Sequence, residues 1–162
     1  MEIGIKKRIE AFKKRTEGEN LPLFTLAEFF ENNTMESSIA PNQWGYGRPT
    51  LAELWQHLCK IENHPDVAWI RVALSDETDV DDYSDDEITY YEIKNLIYEI
   101  RGESIIICTS ASIEEMEQVA DCEWMCSGSA DDYSVGYFFE VDRYTEIPAI
   151  PVGYRVLTLY WE

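Results

Sequence analysis

Residues 49–74 read PTLAELWQHLCKIENHPDVAWIRVAL, and this stretch predicts a helix followed directly by a strand. In its first half, apolar residues recur at the spacing of one helix face: Leu51, Leu54, Trp55, Leu58 and Ile61. Pro49 is predicted to lie in the first turn of this helix, and Pro65 to stop it. In residues 67–74 one set of alternating side chains is almost wholly apolar and the other is mixed, which indicates a strand covered well on one side.

Other helices are predicted by capping boxes, in which a hydroxyl and a carboxylate close the first turn of a helix. Three pairs match this pattern: Thr25 with Glu28, Ser84 with Glu87, and Ser112 with Glu115. The helix after the second pair is predicted to end at Gly102. A further helix over residues 3–17 has a narrow apolar stripe and a basic flank, so residues 1–18 form a basic N-terminal segment.

The remaining strands are predicted from short apolar runs. Residues 104–109, SIIICT, are typical of a buried central strand, and residues 137–141 and 154–161 predict two more. Residues 121–136 are rich in Gly, Ser and Asp and predict a loop that contains Trp124. The sequence therefore predicts an α+β fold: one domain over residues 1–162, with about four mostly antiparallel strands and several helices packed on one face.

The protein is strongly acidic, with a formal net charge of -19 over 162 residues. Six of its 13 basic residues lie in the first fifteen positions, so residues 21–162 carry seven basic against twenty-eight acidic groups. Such a surface repels nucleic acid, because phosphate binding needs Lys and Arg to displace counterions. It attracts a basic protein through long-range steering. The alternative is that the charge serves only solubility.

The acidic charge is concentrated in residues 75–92, SDETDVDDYSDDEITYYE, which contain nine Asp or Glu and no Lys or Arg. The tetrapeptide Asp-Asp-Tyr-Ser occurs at residues 81–84 and again at residues 131–134. Two carboxylates beside a tyrosine suit a protein interface, where the charges pair with Lys or Arg and the ring is desolvated. The alternative is two solvated acidic loops. We expect the partner-binding residues to be Asp79, Asp81, Asp82, Tyr83, Asp85 and Asp86, followed by Asp131, Asp132 and Tyr133.

No pattern in the chain predicts an enzyme. Nucleophilic catalysis needs a base placed against Ser or Cys, and the positions of His57 and His64 suggest no such arrangement. Cys122 and Cys126 would supply only two of the four ligands of a structural zinc site. The acidic run at residues 79–83 lacks the glycine that a calcium loop requires. The sequence thus predicts no catalytic residues, no metal and no cofactor.

The chain is predicted to be cytoplasmic. No apolar run approaches the roughly 18 to 20 residues that span a bilayer, and the N-terminus has no signal-peptide pattern. The cysteines are therefore expected to be reduced, partly buried thiols: Cys59, Cys108, Cys122 and Cys126. The basic N-terminal helix is expected to pack on the acidic surface of the protein itself, or on a second copy in a homodimer, rather than on a membrane.

Several ordered blocks of sequence carry a resemblance to a known group of proteins. They are LAEFFENNT (26–34), SIAPN (38–42), residues 49–72, IIICTSASIEEM (105–116) and PVGYRVLTLYWE (151–162). Together they resemble small acidic bacterial immunity proteins from polymorphic-toxin loci. These blocks are mostly core patterns rather than catalytic motifs. The resemblance implies a non-enzymatic inhibitor that holds a toxin domain inactive.

These observations favour an immunity protein that binds a cognate basic toxin, such as a nuclease, and blocks its cleft with carboxylates placed where substrate phosphates would lie. Two alternatives come from other classes. An acidic adaptor or DNA-mimic protein would share the acidity but bind several basic partners. A metal-dependent hydrolase would use clustered carboxylates as metal ligands, and protein purified without added ions that contained no metal would speak against it.

Overall fold

The computed structural model describes residues 21–31, 33–34, 36–40, 47–74, 102–121, 124, 133–135 and 144–161. Within them the strands are β1 (Leu21–Pro22), β2 (Val67–Leu74), β3 (Gly102–Thr109), β4 (Tyr133–Val135), β5 (Tyr144–Thr145) and β6 (Arg155–Trp161). The helices are α1 (Leu26–Phe30), α2 (Leu51–Glu62) and α3 (Ile113–Ala120), with a 3-10 turn at Glu36–Ser38. None of the described helices is long and apolar enough to cross a membrane. The fold is α+β, as the sequence predicted.

Four of the strands form one antiparallel sheet in the order β2-β3-β6-β4. Strand β3 lies between β2 and β6, so residues 104–109 form the buried inner strand that their apolar side chains predicted. At the outer side of β2, the backbone of Phe24 donates to Val72 at 3.0 Å and accepts from it at 2.7 Å. These bonds occupy part of a sheet edge that would otherwise be open to pairing with another chain. Strands β1 and β5 form a separate parallel pair.

The two faces of the sheet are covered differently. On one face the strands contribute buried Ile70, Val72, Leu74, Ile105, Ile107, Leu157 and Leu159. All three helices pack against this face, through Leu26, Phe29, Phe30, Leu51, Leu54, Leu58, Ile61, Met116 and Ala120. On the other face Trp69, Ile106 and Cys108 form a smaller cluster, and the indole N–H of Trp69 donates to the carbonyl of Ala149 at 3.1 Å. The described helices therefore pack on one face, as predicted.

Each described helix begins at an N-cap hydroxyl. Thr25 and Thr50 each accept a bond from the backbone N–H of the glutamate three residues later, and that carboxylate accepts a bond from the N–H of the cap. Ser112 accepts a bond from the N–H of Glu115 at 3.1 Å. The predicted capping box of α1 is confirmed, and Ser112 caps α3 as predicted, but the Glu115 carboxylate does not complete a box there. The prediction for Pro49 is wrong, because Thr50 supplies the capping hydroxyl and Pro49 lies one residue before it.

Two further sequence predictions differ from the structure. Residues 133–135 form strand β4 inside the segment predicted to be a loop, because β6 supplies backbone partners that a three-residue run does not reveal. Gly102 is the first residue of β3. The acidic segment 75–92, the N-terminal helix at 3–17, the helix predicted to follow Ser84 and the strand at 137–141 lie outside the described residues.

Gly102 allows a close approach between the sheet and the loop after α1. Ile39 forms a parallel bridge with Gly102. A Cβ atom at position 102 would lie 3.1 Å from Cδ1 and Cγ1 of Ile39 and 3.1 Å from Cζ of Phe29. Because Ile39 and Phe29 are fully buried, neither side chain can move away freely.

Arg48 is a buried charge that organises the loop between α1 and α2. Its Nη1 donates to the carbonyl oxygens of Glu36 at 2.8 Å and Ile39 at 2.5 Å, and its Nη2 donates to Oε2 of Glu36 at 2.6 Å. The same carboxylate accepts a bond at 3.0 Å from the N–H of Leu51, the first residue of α2. Burial lowers the pKa of Arg48 and Glu36 opposes that shift, so the guanidinium stays charged. Glu36 thus compensates a buried cation and satisfies a helix N-terminus.

Glu36→Ala is expected to lower the free energy of unfolding by about 3 kcal/mol, because it removes the carboxylate that pairs with the buried guanidinium. Urea unfolding followed by circular dichroism measures the change. Glu31→Ala removes an exposed carboxylate at the end of α1 and serves as the control, with an expected change below about 0.5 kcal/mol. A loss below about 1 kcal/mol for Glu36→Ala would fit an ordinary surface ion pair and contradict this interpretation.

Gly102→Ala is expected to lower the free energy of unfolding by about 1 to 3 kcal/mol, because the added methyl group overpacks the contact with Ile39 and Phe29. The same substitution made together with Ile39→Ala should cost less, since two of the three closest atoms are then absent. Thermal or urea unfolding of the four proteins in this double-mutant cycle gives the coupling. An equal cost in both backgrounds would show that this contact is not the cause.

Candidate functional site

The partner-binding residues predicted from sequence fall almost entirely outside the described part of the chain. This is so for Asp79, Asp81, Asp82, Tyr83, Asp85, Asp86, Asp131 and Asp132. Tyr133 is the first residue of β4, and its backbone pairs with Trp161 on β6. These nine residues remain predictions.

The described surface has an acidic region at the end of α3. Met116 and Ala120 point into the core, while Glu117, Gln118 and Asp121 are exposed. Asp121 ends the helix with φ of 51° and ψ of 66°, a left-handed conformation that aspartate tolerates better than most residues. We call Glu117, Gln118 and Asp121, together with the neighbouring Trp124 and His57, the α3 surface.

Trp124 is the aromatic residue of the α3 surface. It is 37% exposed, and only two other large hydrophobic residues in the described part of the chain, Ile150 and Val152, are also exposed. Its ring centroid lies 4.5 Å from that of His57, with 50° between the planes. Its backbone N–H donates to Oδ1 of Asp121 at 3.4 Å. The Trp124 side chain is therefore partly exposed to solvent and in contact with the imidazole of His57.

His57 links α2 to the end of α3. Its Nε2 lies 2.6 Å from the carbonyl oxygen of Ala120, so this nitrogen carries a proton and donates to the last turn of the helix. The bond joins residues 63 positions apart and holds the imidazole in one orientation. His57 thus supports the Trp124 ring, a role that helical periodicity did not indicate.

The negative potential of the α3 surface has several sources. Glu117 and Asp121 carry carboxylates, and the aligned peptide dipoles of a helix add a partial negative charge at its C-terminal end. No ion pair between described residues involves either carboxylate. Among the described basic residues, Arg48 pairs with Glu36, and Arg71 lies 5.7 Å from the ring centroid of Trp69. The α3 surface can therefore attract a cationic group that does not belong to the described residues.

The two described cysteines are free thiols, as predicted for them. Burial raises the pKa of Cys108, and burial together with the nearby Glu62 raises the pKa of Cys59. Both thiols therefore stay protonated and unreactive near neutral pH. Cys122 and Cys126 lie outside the described residues.

A second group of chemically capable side chains lies where β2 and α3 begin. His64, Asp66 and Glu115 each place one potential ligand atom within 4.8 Å of the others. Asp66 and Glu115 are 49 positions apart, so the spacing of residues in the sequence gave no sign of this cluster. The pattern Ser112 to Glu115 was recognised only as a capping box.

Comparisons with known proteins give a family and no nearer relative. No curated protein and no solved structure matches the chain significantly. The family description states no function, so the resemblance to immunity proteins stays a prediction. The matching family model covers residues 3–159, and the chain belongs to the Uncharacterized protein YfbO family.

Proposed function

We propose that this protein is a cytoplasmic immunity protein that binds a cognate basic toxin, with a nuclease as the favoured class, and holds it inactive. The observation that carries the proposal is the α3 surface, where the exposed indole of Trp124 adjoins carboxylates that no described cation neutralises. Inhibition follows from occupation of the toxin's cationic cleft. The protein itself makes and breaks no covalent bond.

The chemistry of the α3 surface suits the side chains of a basic protein. An Arg or Lys that approaches it meets the Glu117 and Asp121 carboxylates and the face of an indole ring, which attracts cations by about 0.5 to 2 kcal/mol. The net charge of -19 adds long-range attraction and raises the rate of encounter at low salt. A cationic partner is therefore favoured over an anionic one by both short-range and long-range interactions.

The rigidity of Trp124 supports a role in binding a protein. Tryptophan is enriched among the few residues that contribute most of the binding energy of protein interfaces. The ring of Trp124 already packs on His57, which is held by the carbonyl of Ala120. Less side-chain entropy is then lost on binding, because the bound orientation exists beforehand.

The acidic stretches predicted from sequence extend the proposed contact. Residues 75–92 and the second Asp-Asp-Tyr-Ser sequence at 131–134 add carboxylates next to tyrosines. In a complex with a nuclease, these carboxylates would stand where the phosphates of the substrate otherwise lie. The substrate and the inhibitor would then compete for the same cationic groups.

The growth of cells that produce the toxin domain tests whether the protein is an immunity protein or an adaptor. A toxin domain encoded beside the gene is expressed with and without this protein, and restored growth together with a purified one-to-one complex is expected. An acidic adaptor would instead recover several unrelated basic proteins in a pull-down at physiological salt and would not restore growth. Failure to bind the toxin domain even at low salt would contradict the proposal.

Trp124→Ala is expected to weaken binding of the purified toxin domain by at least about 30-fold, which corresponds to about 2 kcal/mol for a central interface residue. Val152→Ala removes a fully exposed apolar side chain outside the α3 surface and should change the dissociation constant less than about twofold. Glu117→Gln with Asp121→Asn keeps the size of both side chains but removes both charges, so it should mainly slow association and reduce its salt dependence. Surface plasmon resonance at two salt concentrations measures these effects. Equal losses for Trp124→Ala and Val152→Ala would exclude the α3 surface.

Reversal of Asp81 and Asp82 to Lys is expected to slow association of the toxin domain by at least about tenfold at low salt, because like charges then face each other. Reversal of the exposed Glu31 and Glu146 to Lys changes the net charge equally and is the control. Stopped-flow association rates and growth protection are the measurements. If the two double reversals had the same effect, only the net charge would matter and the first Asp-Asp-Tyr-Ser sequence would not be a contact.

A further inference from the structure

The His64, Asp66 and Glu115 cluster is assembled by three parts of the fold. His64 lies in the turn after α2, Asp66 precedes β2 by one residue, and Glu115 lies in the first turn of α3. The main-chain carbonyl of Asp66 accepts bonds from the N–H of Ser110 at 2.9 Å and from the hydroxyl of Thr109 at 2.7 Å. These bonds fix the start of β2 against the end of β3, three residues before α3 begins. The backbone that carries the cluster is therefore held by hydrogen bonds that do not involve its side chains.

Glu115 behaves differently from its counterparts at the other helix starts. In α1 and α2 the glutamate at this position returns to the N–H of the cap, at 2.9 Å for Glu28 and 3.3 Å for Glu53. In α3 the N–H of Glu115 is bonded by Ser112, but the carboxylate makes no return bond and lies beside His64 and Asp66 instead. The Glu115 carboxylate thus does not make the common capping bond to the N–H of Ser112, and it lies beside the other two potential ligands.

The two carboxylates of the cluster have no described partner. No hydrogen bond or ion pair between described residues involves the side-chain oxygens of Asp66 or Glu115. Two like charges within 4.8 Å repel each other, and a cation between them would convert that repulsion into attraction. The half-buried His64 and Asp66 and the exposed Glu115 leave the position open to an ion from solvent.

We propose that His64, Asp66 and Glu115 bind a divalent first-row transition-metal ion, with water in the remaining coordination positions. One imidazole nitrogen and two carboxylate oxygens match the donors that such ions prefer, whereas Ca²⁺ and Mg²⁺ favour oxygen alone. Metal–ligand distances of about 2.0 to 2.2 Å place tetrahedral ligand atoms about 3.4 Å apart, so a pair that now lies 4.8 Å apart must approach by about 1.4 Å. The exposed side chain of Glu115 has the freedom to make that movement. This inference is independent of the proposed toxin binding.

Binding of the ion predicts a specific change at His64. Its Nδ1 accepts a bond from the backbone N–H of Asp66 at 3.2 Å. An ion on Nδ1 would take the place of that N–H, and an ion on Nε2 would require the proton to move to Nδ1, which could then no longer accept. In either case the hydrogen bond of the Asp66 amide is lost when the ion binds. The amide resonance of Asp66 is therefore a reporter that a merely nonspecific ion would not affect.

The test uses the full chain stripped of metal with a chelator. Titration with Co²⁺ is followed by visible absorption, and Zn²⁺ is added to ¹⁵N-labelled protein to follow the Asp66 amide. The variants are Asp66→Asn and Glu115→Gln, which keep size and backbone bonding. The control is Glu114→Gln, the same change at an exposed glutamate in the first turn of α3 that is not part of the cluster. Unfolding of each variant in chelator confirms that the fold is intact, and Glu115→Gln alone suffices if Asp66→Asn proves unstable.

We expect saturable one-to-one binding of Co²⁺ without the intense thiolate-to-cobalt absorption that cysteine ligands produce. Each cluster variant should weaken this binding at least about tenfold, since even loss of an outer-shell partner weakens metal sites by about 10- to 100-fold. Glu114→Gln should leave it unchanged, and Zn²⁺ should shift the Asp66 amide. Equal affinity in all variants, a thiolate spectrum or no saturable binding would each overturn the assignment.

Discussion

The loop between α1 and α2 depends on one charged interaction, the contact of the Arg48 guanidinium with Glu36. The guanidinium is buried and remains charged, so an uncompensated Arg48 would oppose folding. Through its bonds to the carbonyls of Glu36 and Ile39 it shapes the turn that brings Ile39 against Gly102. The Glu36 carboxylate then bonds to the first amide of α2. One ion pair therefore connects the start of β3, the turn after α1 and the start of α2.

The helix packing that follows from these contacts determines where polar chemistry can occur. The helices cover one face of the sheet, and their buried stripes leave the ends of α2 and α3 near the surface. The end of α3 meets His57 from the side of α2, while its start lies beside the turn after α2. The α3 surface and the cluster of His64, Asp66 and Glu115 thus lie at opposite ends of one eight-residue helix.

Local sequence patterns predicted the helices and strands, because the residues that define each of them are close together in the sequence. The capping pairs Thr25 with Glu28 and Ser112 with Glu115, and the apolar run at residues 104–109, each contain within a few residues the contacts that define them. The burial of Arg48 was not predicted, because its counter-ion lies twelve positions earlier in a segment that reads as a loop. The contact of His57 with Trp124 and the approach of Glu115 to His64 depend on how α2 and α3 pack. No spacing rule within one element encodes such distances.

The charge distribution along α3 separates acidity that stabilises the fold from acidity that does not. Glu114 and Glu115 lie in the first turn, where a carboxylate interacts favourably with the free N–H groups of a helix. Glu117 and Asp121 lie in the last turn and at its cap, where the same charge is unfavourable by about 0.3 to 1 kcal/mol per residue. The last turn contains no basic residue that would offset this cost. The carboxylates at the start of α3 stabilise the helix, whereas those at its end destabilise it. Trp124 is exposed beside the destabilising end. An attractive contact with a cationic partner accounts for both observations, whereas a general requirement for solubility accounts only for the charge.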